Sequence, residues 1–210
     1  MRRSNPYEQA FAAWARRWGA VVLPLQELQR HHLAQQRVKT PDFLVLGRGG
    51  PQDARLVVDV KGRLCKASRP GGQVVWPNWC FWDDVQTLPR WAESFGPRFR
   101  PVLAFVYRLA PSLELPPTTP DLFSFRGQRY LIRGVDVRDY RDFMRPRSPS
   151  WQTVYLTVAD FRRLVQPFSS FLPDLQSRWD QTERPPRDET TPAWFSQPKN
   201  GMTASFAGTT

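Results

Sequence analysis

The chain is expected to fold as a mixed α/β domain, in which helices pack on a sheet that holds both parallel and antiparallel strands. Three observations carry that expectation. Four stretches repeat apolar residues at helical spacing, short apolar runs rich in Val, Leu, Phe and Tyr fall between them, and two Gly-bearing turns join neighbouring runs into hairpins. With 210 residues, 40% of them hydrophobic, the chain is long enough to bury one substantial core and carry appendages.

The first helix is signalled by Asn5 as N-cap and Pro6 at the first helical position; Tyr7, Phe11, Trp14 and Trp18 recur on one face and Gly19 closes it. At about 100° per residue Glu8 lies about 60° from Phe11, so its carboxylate is half-turned toward the core. AVVLPL then reads as a strand. Residues 25–40 form a polar helix or loop leading into PDFLVLGRGGPQDARLVVDVKGR, residues 41–63. There Phe43–Leu46 and Leu56–Val60 read as two strands, with GRGGPQD as the turn of a hairpin. In the second strand Leu56, Val58 and Val60 share one face, while Val57, Asp59 and Lys61 share the other. A helix follows with Val85, Leu88, Trp91 and Phe95, and Pro89 is placed to split it into two short pieces. PVLAFVY, residues 101–107, is an almost unbroken apolar run that suits a central strand covered on both faces. LFSFRGQRYLIRGV alternates around Arg126-Gly127-Gln128 as a second hairpin, and a short helix carries Tyr140, Phe143 and Met144. TVYL is a short strand, after which Thr157 and Asp160 make a capping box opening VADFRRLVQPF. One domain is therefore expected over residues 1–176. Residues 177–210, rich in Pro, Ser and Thr and without an apolar period, have the composition of a disordered tail in which Trp194 and Phe195 are isolated aromatics.

Thirty Lys and Arg against 19 acids give a formal charge of +11, and the tail's acids and bases balance, so the excess sits on the body. A field of that sign concentrates polyanions, which favours nucleic acid or an anionic membrane surface as the partner over a merely solubilising role. Two cysteines, Cys65 and Cys80, and two histidines, His31 and His32, are too few and too scattered for a disulfide framework or a zinc module; both thiols are expected to be reduced packing residues. MRRSNPYEQ lacks the apolar stretch of a signal peptide and no run is long enough to span a membrane, so a cytoplasmic, membrane-free protein is expected.

The three charges planted in the first hairpin give the chain its chemistry. Asp42 begins one strand, Asp59 lies two residues before Lys61 in the next, and Glu8 projects from the flank of a helix that should pack on that sheet. Hard divalent cations take oxygen ligands, commonly one or two carboxylates with water and substrate phosphate completing the shell. A lysine beside them supplies a compact cation that orients the attacking water or steadies charge on the phosphate. Pro41-Asp42 followed by Asp59-Val60-Lys61 resembles the signature of the PD-(D/E)xK nuclease superfamily. The order of elements resembles that family's restriction-endonuclease-like core of helix, three strands, helix and strand, here over residues 5–107, with residues 108–176 as an extension. The resemblance implies metal-dependent hydrolysis of phosphodiester bonds, with DNA as the expected substrate and Mg²⁺ or Mn²⁺ as the cofactor. It further implies Glu8 as the first-helix acid, Asp42 and Asp59 as metal ligands, the Val60 carbonyl as a further ligand and Lys61 as the catalytic lysine. Members commonly pair to cut two strands, which makes a homodimer part of the same expectation.

Arg63, Lys66 and Arg69 are expected to form a basic loop at the mouth of that site, gripping the substrate backbone, and are favoured over Arg145 and Arg147 of MRPRSPSW, which could instead belong to a plain connection. Arg162 and Arg163 could extend a basic surface or simply face water. The aromatics of WPNWCFW are expected to build core more than to stack on bases, and Asp83 and Asp84, which could be read as extra ligands, are expected rather to cap the helix that follows. Two other functions stay open on the residues alone: a non-catalytic nucleic-acid-binding module on the same fold, and a protein-interaction scaffold using the aromatics and the tail.

Overall fold

A computed structural model describes residues 5–25, 39–47, 54–66 and 74–172. The tail with Trp194 and Phe195, the pair His31 and His32, Arg69 and most of GRGGPQD lie outside these residues.

Helix α1 (Pro6–Arg17) starts as the sequence predicts, with the Asn5 side chain accepting from the Tyr7 N–H at 3.1 Å, and it ends where Gly19 takes a φ of 82°. Strands β1 (Val21–Pro24), β2 (Phe43–Leu46) and β3 (Arg55–Cys65) make an antiparallel meander, with Phe43 opposite Val58 and Leu46 opposite Arg55. After a two-residue strand β4 (Cys80–Phe81), helix α2 (Trp82–Phe95) carries the chain back to β5 (Arg100–Leu109), which pairs parallel with β3 from Leu56–Arg100 to Cys65–Leu109. Strands β6 (Leu122–Phe125) and β7 (Gln128–Asp136) form the second expected hairpin; Arg126 (φ 48°) and Gly127 (φ 70°) both take left-handed φ, the geometry that matches the twist of the flanking strands. Then follow α3 (Val137–Phe143), β8 (Arg145–Ser148), β9 (Thr153–Tyr155), α4 (Val158–Leu164), β10 (Gln166–Pro167) and a 3-10 turn over Phe168–Phe171.

Among the described residues the main sheet runs β1-β2-β3-β5-β7-β10, with β6 also on β7, and a second sheet runs β4-β9-β8. Strand alternation splits the core in two. Leu56, Val58 and Val60 of β3 and Val102, Ala104 and Val106 of β5 face α1 and the 3-10 turn. On the opposite face, Val57 packs on Trp91 and Ala92 of α2, and Leu103, Phe105 and Tyr107 pack under α2, α3 and α4. Strand β5 is thus buried on both faces, as its unbroken apolar run predicts. No helix of the described residues is long and apolar enough to cross a membrane.

Three local expectations are corrected. Pro89 does not split α2: it is buried within one continuous helix, where apolar burial outweighs the backbone hydrogen bond a proline forfeits. Strand β3 runs five residues past Val60, because its parallel pairing with β5 continues after the hairpin partner β2 has ended. MRPRSPSW is not a plain connection, since Arg145–Ser148 forms the edge strand of the second sheet. At α4 the Thr157 hydroxyl accepts from the Asp160 N–H at 3.1 Å, the cap read from sequence.

Candidate active site

The site is built where β2, β3 and the start of α2 meet. Asp42 stands one residue before β2, its N–H given to the Val58 carbonyl at 3.0 Å and its own carbonyl accepting from Leu25 at 3.0 Å. The chain bends there, and the Asp42 carboxylate takes the place of a backbone acceptor: the Val60 N–H donates to its Oδ2 at 2.7 Å. Asp59 and Lys61, two residues apart on β3, are both buried on the α2 side, as strand alternation predicts.

Asp42, Asp59 and Lys61 come together. Burial, then the charge of Asp59, push the Asp42 carboxyl up to about 8 against the downward pull of the Val60 N–H, and Glu8 adds a smaller upward push. Glu8 therefore reaches the cluster electrostatically, although α1 packs on the sheet face opposite Asp59 and Lys61. Its approach depends on Gly62. A Cβ at that position would lie 2.3 Å from the Tyr7 ring, so the bare backbone next to Lys61 is what lets the first turn of α1 settle on β3.

Two further charges complete it, Asp84, which the sequence offered as a cap more than as a ligand, and Lys39, which it did not single out. Asp84, in the first turn of α2 and fully buried, accepts from the Phe81 N–H at 2.9 Å, which is the cap expected of it. The same carboxylate binds Lys61 at 2.5 Å and also Lys39, while Lys39 lies 3.4 Å from Asp59 and Asp59 pairs with Lys61. Lys39 is steered there by Trp91 of α2, whose indole N–H donates to the Lys39 carbonyl at 3.0 Å. The result is a closed ring of two acids and two lysines. Burial alone would lower the Lys61 ammonium, but Asp59 and Asp84 hold it above the ordinary lysine value, so it stays a cation; burial likewise acts upward on Asp84, and Lys61 and Lys39 overcome it and bring the carboxyl down. The only sequence signal for Asp84 was an acid at a helix start, which capping already explained, and Lys39 lay in a stretch read as polar.

The donor set suits a hard divalent cation held on two carboxylates. Asp42 and Asp59 crowd like charge into one buried place, and Asp59 Oδ2, though pressed against the Lys61 ammonium, has no hydrogen bond of good geometry. Among the described residues no three His, Cys, Asp or Glu side chains gather closely enough to hold a metal ion, so a cation here would rest on the two acids Asp42 and Asp59 and take its other ligands from water and substrate.

The basic residues fall differently from expectation. Arg63 lies on β3 and not in a loop; half-buried, it donates to the carbonyls of Gly62 and Trp79 and lies 3.9 Å from the Trp79 ring centre. Lys66 is exposed just beyond the strand, and Arg145 and Arg147 are exposed on β8. Arg163 spends its charge on Asp160 at 3.3 Å and on the Phe143 ring at 4.1 Å. Cys65 and Cys80 are buried free thiols, both pushed up to about 12 by burial, in keeping with packing roles.

No protein-family model and no curated protein matches the chain. Among solved structures it is similar to Hjc, a Holliday junction resolvase from the archaeal hyperthermophile Archaeoglobus fulgidus, at 13% identity over 78% of this chain and 95% of that one, with a TM-score of 0.44.

Proposed function

We propose that the protein is a metal-dependent nuclease that hydrolyses phosphodiester bonds, with DNA as its substrate. The observation that carries the reading is the pairing of Asp42 with Asp59 beside a buried, charged Lys61. Asp42 and Asp59 would hold Mg²⁺ or Mn²⁺, with the Val60 carbonyl as a further oxygen and Glu8 acting on the site through its charge. When bound, such an ion lowers the pKa of a ligated water and offsets charge on the phosphate. Asp59 and Asp84 keep Lys61 protonated, so its part is to place a fixed positive charge against the phosphoryl oxygens and not to act as a base. Asp84, itself paired with Lys39, holds that ammonium in place from the α2 side. The exposed Lys66, Arg145 and Arg147 would take the phosphates on either side of the cut.

The test is cleavage of supercoiled plasmid and of single- and double-stranded oligonucleotides in Mg²⁺ or Mn²⁺, with thermal melting in metal and in chelator alongside. The expected result is cleavage that falls by about 100-fold or more in Asp42→Ala, Asp59→Ala and Lys61→Ala, together with a metal-induced rise in melting temperature that Asp42→Ala removes. Variants that cut as well as the parent would make the ring of charges a structural device, and a parent that binds DNA without cutting it in either metal would make the protein a binding module.

A further inference from the structure

The second sheet carries aromatic rings where a hydrophobic core has no use for them. Phe81 and Trp82 are each 45% exposed and Trp151 is 73% exposed. WPNWCFW thus divides: Trp76 packs at 5.0 Å on the buried Tyr107 ring, as a core aromatic should, while its far end faces outward. The outward residues are brought together by backbone. Trp82 donates its N–H to the Gln152 carbonyl at 2.8 Å, so Trp82 and Trp151 flank one hydrogen bond, and the turn that carries Trp151 is set by Gln152 at a φ of 47°.

The mount beneath them is rigid. Asn78 binds both the N–H and the carbonyl of Leu156, at 3.1 and 3.0 Å, and the buried hydroxyls of Tyr107 and Tyr140 donate to the carbonyls of Pro77 and Asn78. Cations line the same surface. Arg147 lies 5.0 Å from the Trp79 ring centre, on the ring that Arg63 also covers, and Arg145 is exposed on the same edge strand. The surface is continuous with the site through two routes: Arg63 is two residues from Lys61 on β3, and the Phe81 N–H is bound by Asp84.

We infer that Phe81, Trp82 and Trp151, with Arg145 and Arg147, form a stacking surface for unpaired nucleotides of the substrate, so that the enzyme acts where a strand is single, at a flap, fork or gap. This rests on the nuclease reading. Exposed rings can stack only on bases that are not already paired and stacked, and the arginines neutralise the phosphates that accompany them. A paired duplex offers the arginines its backbone but leaves the rings uncovered.

The experiment measures binding of the full chain to a labelled single-stranded oligonucleotide and to the same sequence as duplex, in chelator, across a salt series. Trp82→Ala and Trp151→Ala are each expected to weaken single-strand binding by about tenfold, to change duplex binding less than about twofold, and to leave the salt slope unchanged, while Trp151→Phe keeps most of the affinity. Arg147→Ala is expected to lower the single-strand slope by about 0.7. Equal effects on both forms, no effect on either, or a parent that binds no nucleic acid would overturn the inference. Metal-dependent cleavage by the parent, measured separately, reports on the nuclease reading, so a protein that cuts DNA while its tryptophan variants bind normally refutes the stacking surface alone.

Discussion

Asp84 faces two ammonium groups from the floor of the site, and its own helix cap uses the same carboxylate. Asparagine there keeps an acceptor for the Phe81 N–H but surrenders the charge that holds Lys61 when Asp59 is engaged elsewhere. Asp84→Asn is therefore expected to lower the single-turnover cleavage rate by about 10- to 100-fold with substrate binding in chelator unchanged, whereas Asp84→Ala also costs stability, by about 3 kcal/mol, because the buried Lys61 loses one of its two partners. A parent-like rate in Asp84→Asn would show that Lys61 needs no second anchor. At this scale the sequence disclosed Asp42, Asp59 and Lys61 through their spacing, since alternation alone puts the last two on one face. It offered Asp84 as a helix cap more than as a site residue and gave no sign of Lys39, since their meeting depends on where α2 lands and on the Trp91 hydrogen bond that pulls Lys39 inward.

Helix α1 reaches the cluster only because one residue of β3 lacks a side chain. A methyl at position 62 would meet Tyr7 carbons at 2.3 to 2.8 Å, and since the ring is held in turn against Tyr130, edge-on at 6.2 Å, it has little room to yield. Gly62→Ala is expected to destabilise the fold by about 1–3 kcal/mol in urea denaturation and to displace the turn bearing Glu8, so that the metal concentration needed for half-maximal cleavage rises. Unchanged stability would mean that α1 adjusts freely. Both hairpins, the helix order and the central strand were legible because each is written locally, in apolar period and turn residues. The edge strand Arg145–Ser148 was not, because Arg-Pro-Arg-Ser has no apolar alternation and becomes a strand only by pairing with β9.

Stability of the whole molecule should carry the mark of one carboxyl group. The Asp42 value rises from 3.8 to about 8 on folding in the absence of metal, so folding favours its protonated form. That contribution is present in full below the unfolded value and is lost as pH climbs through the folded one. In chelator, Asp42→Asn, which mimics the neutral acid, is therefore expected to be more stable than the parent by a margin that grows from about pH 4 to about pH 8, and Mg²⁺ should shrink or reverse that margin. A margin independent of pH in urea titrations would remove the link between crowded acids and metal. The long pairing of β3 with β5 bears on when, and not only where, this chemistry exists. Those ten register pairs join segments some forty residues apart around the crossover through α2, and contacts of that separation form late because the loop must close before they repay it. Asp84 stands on the crossover that joins those two strands, so the ring of charges and the parallel pairing of β3 with β5 are tied to one segment of chain.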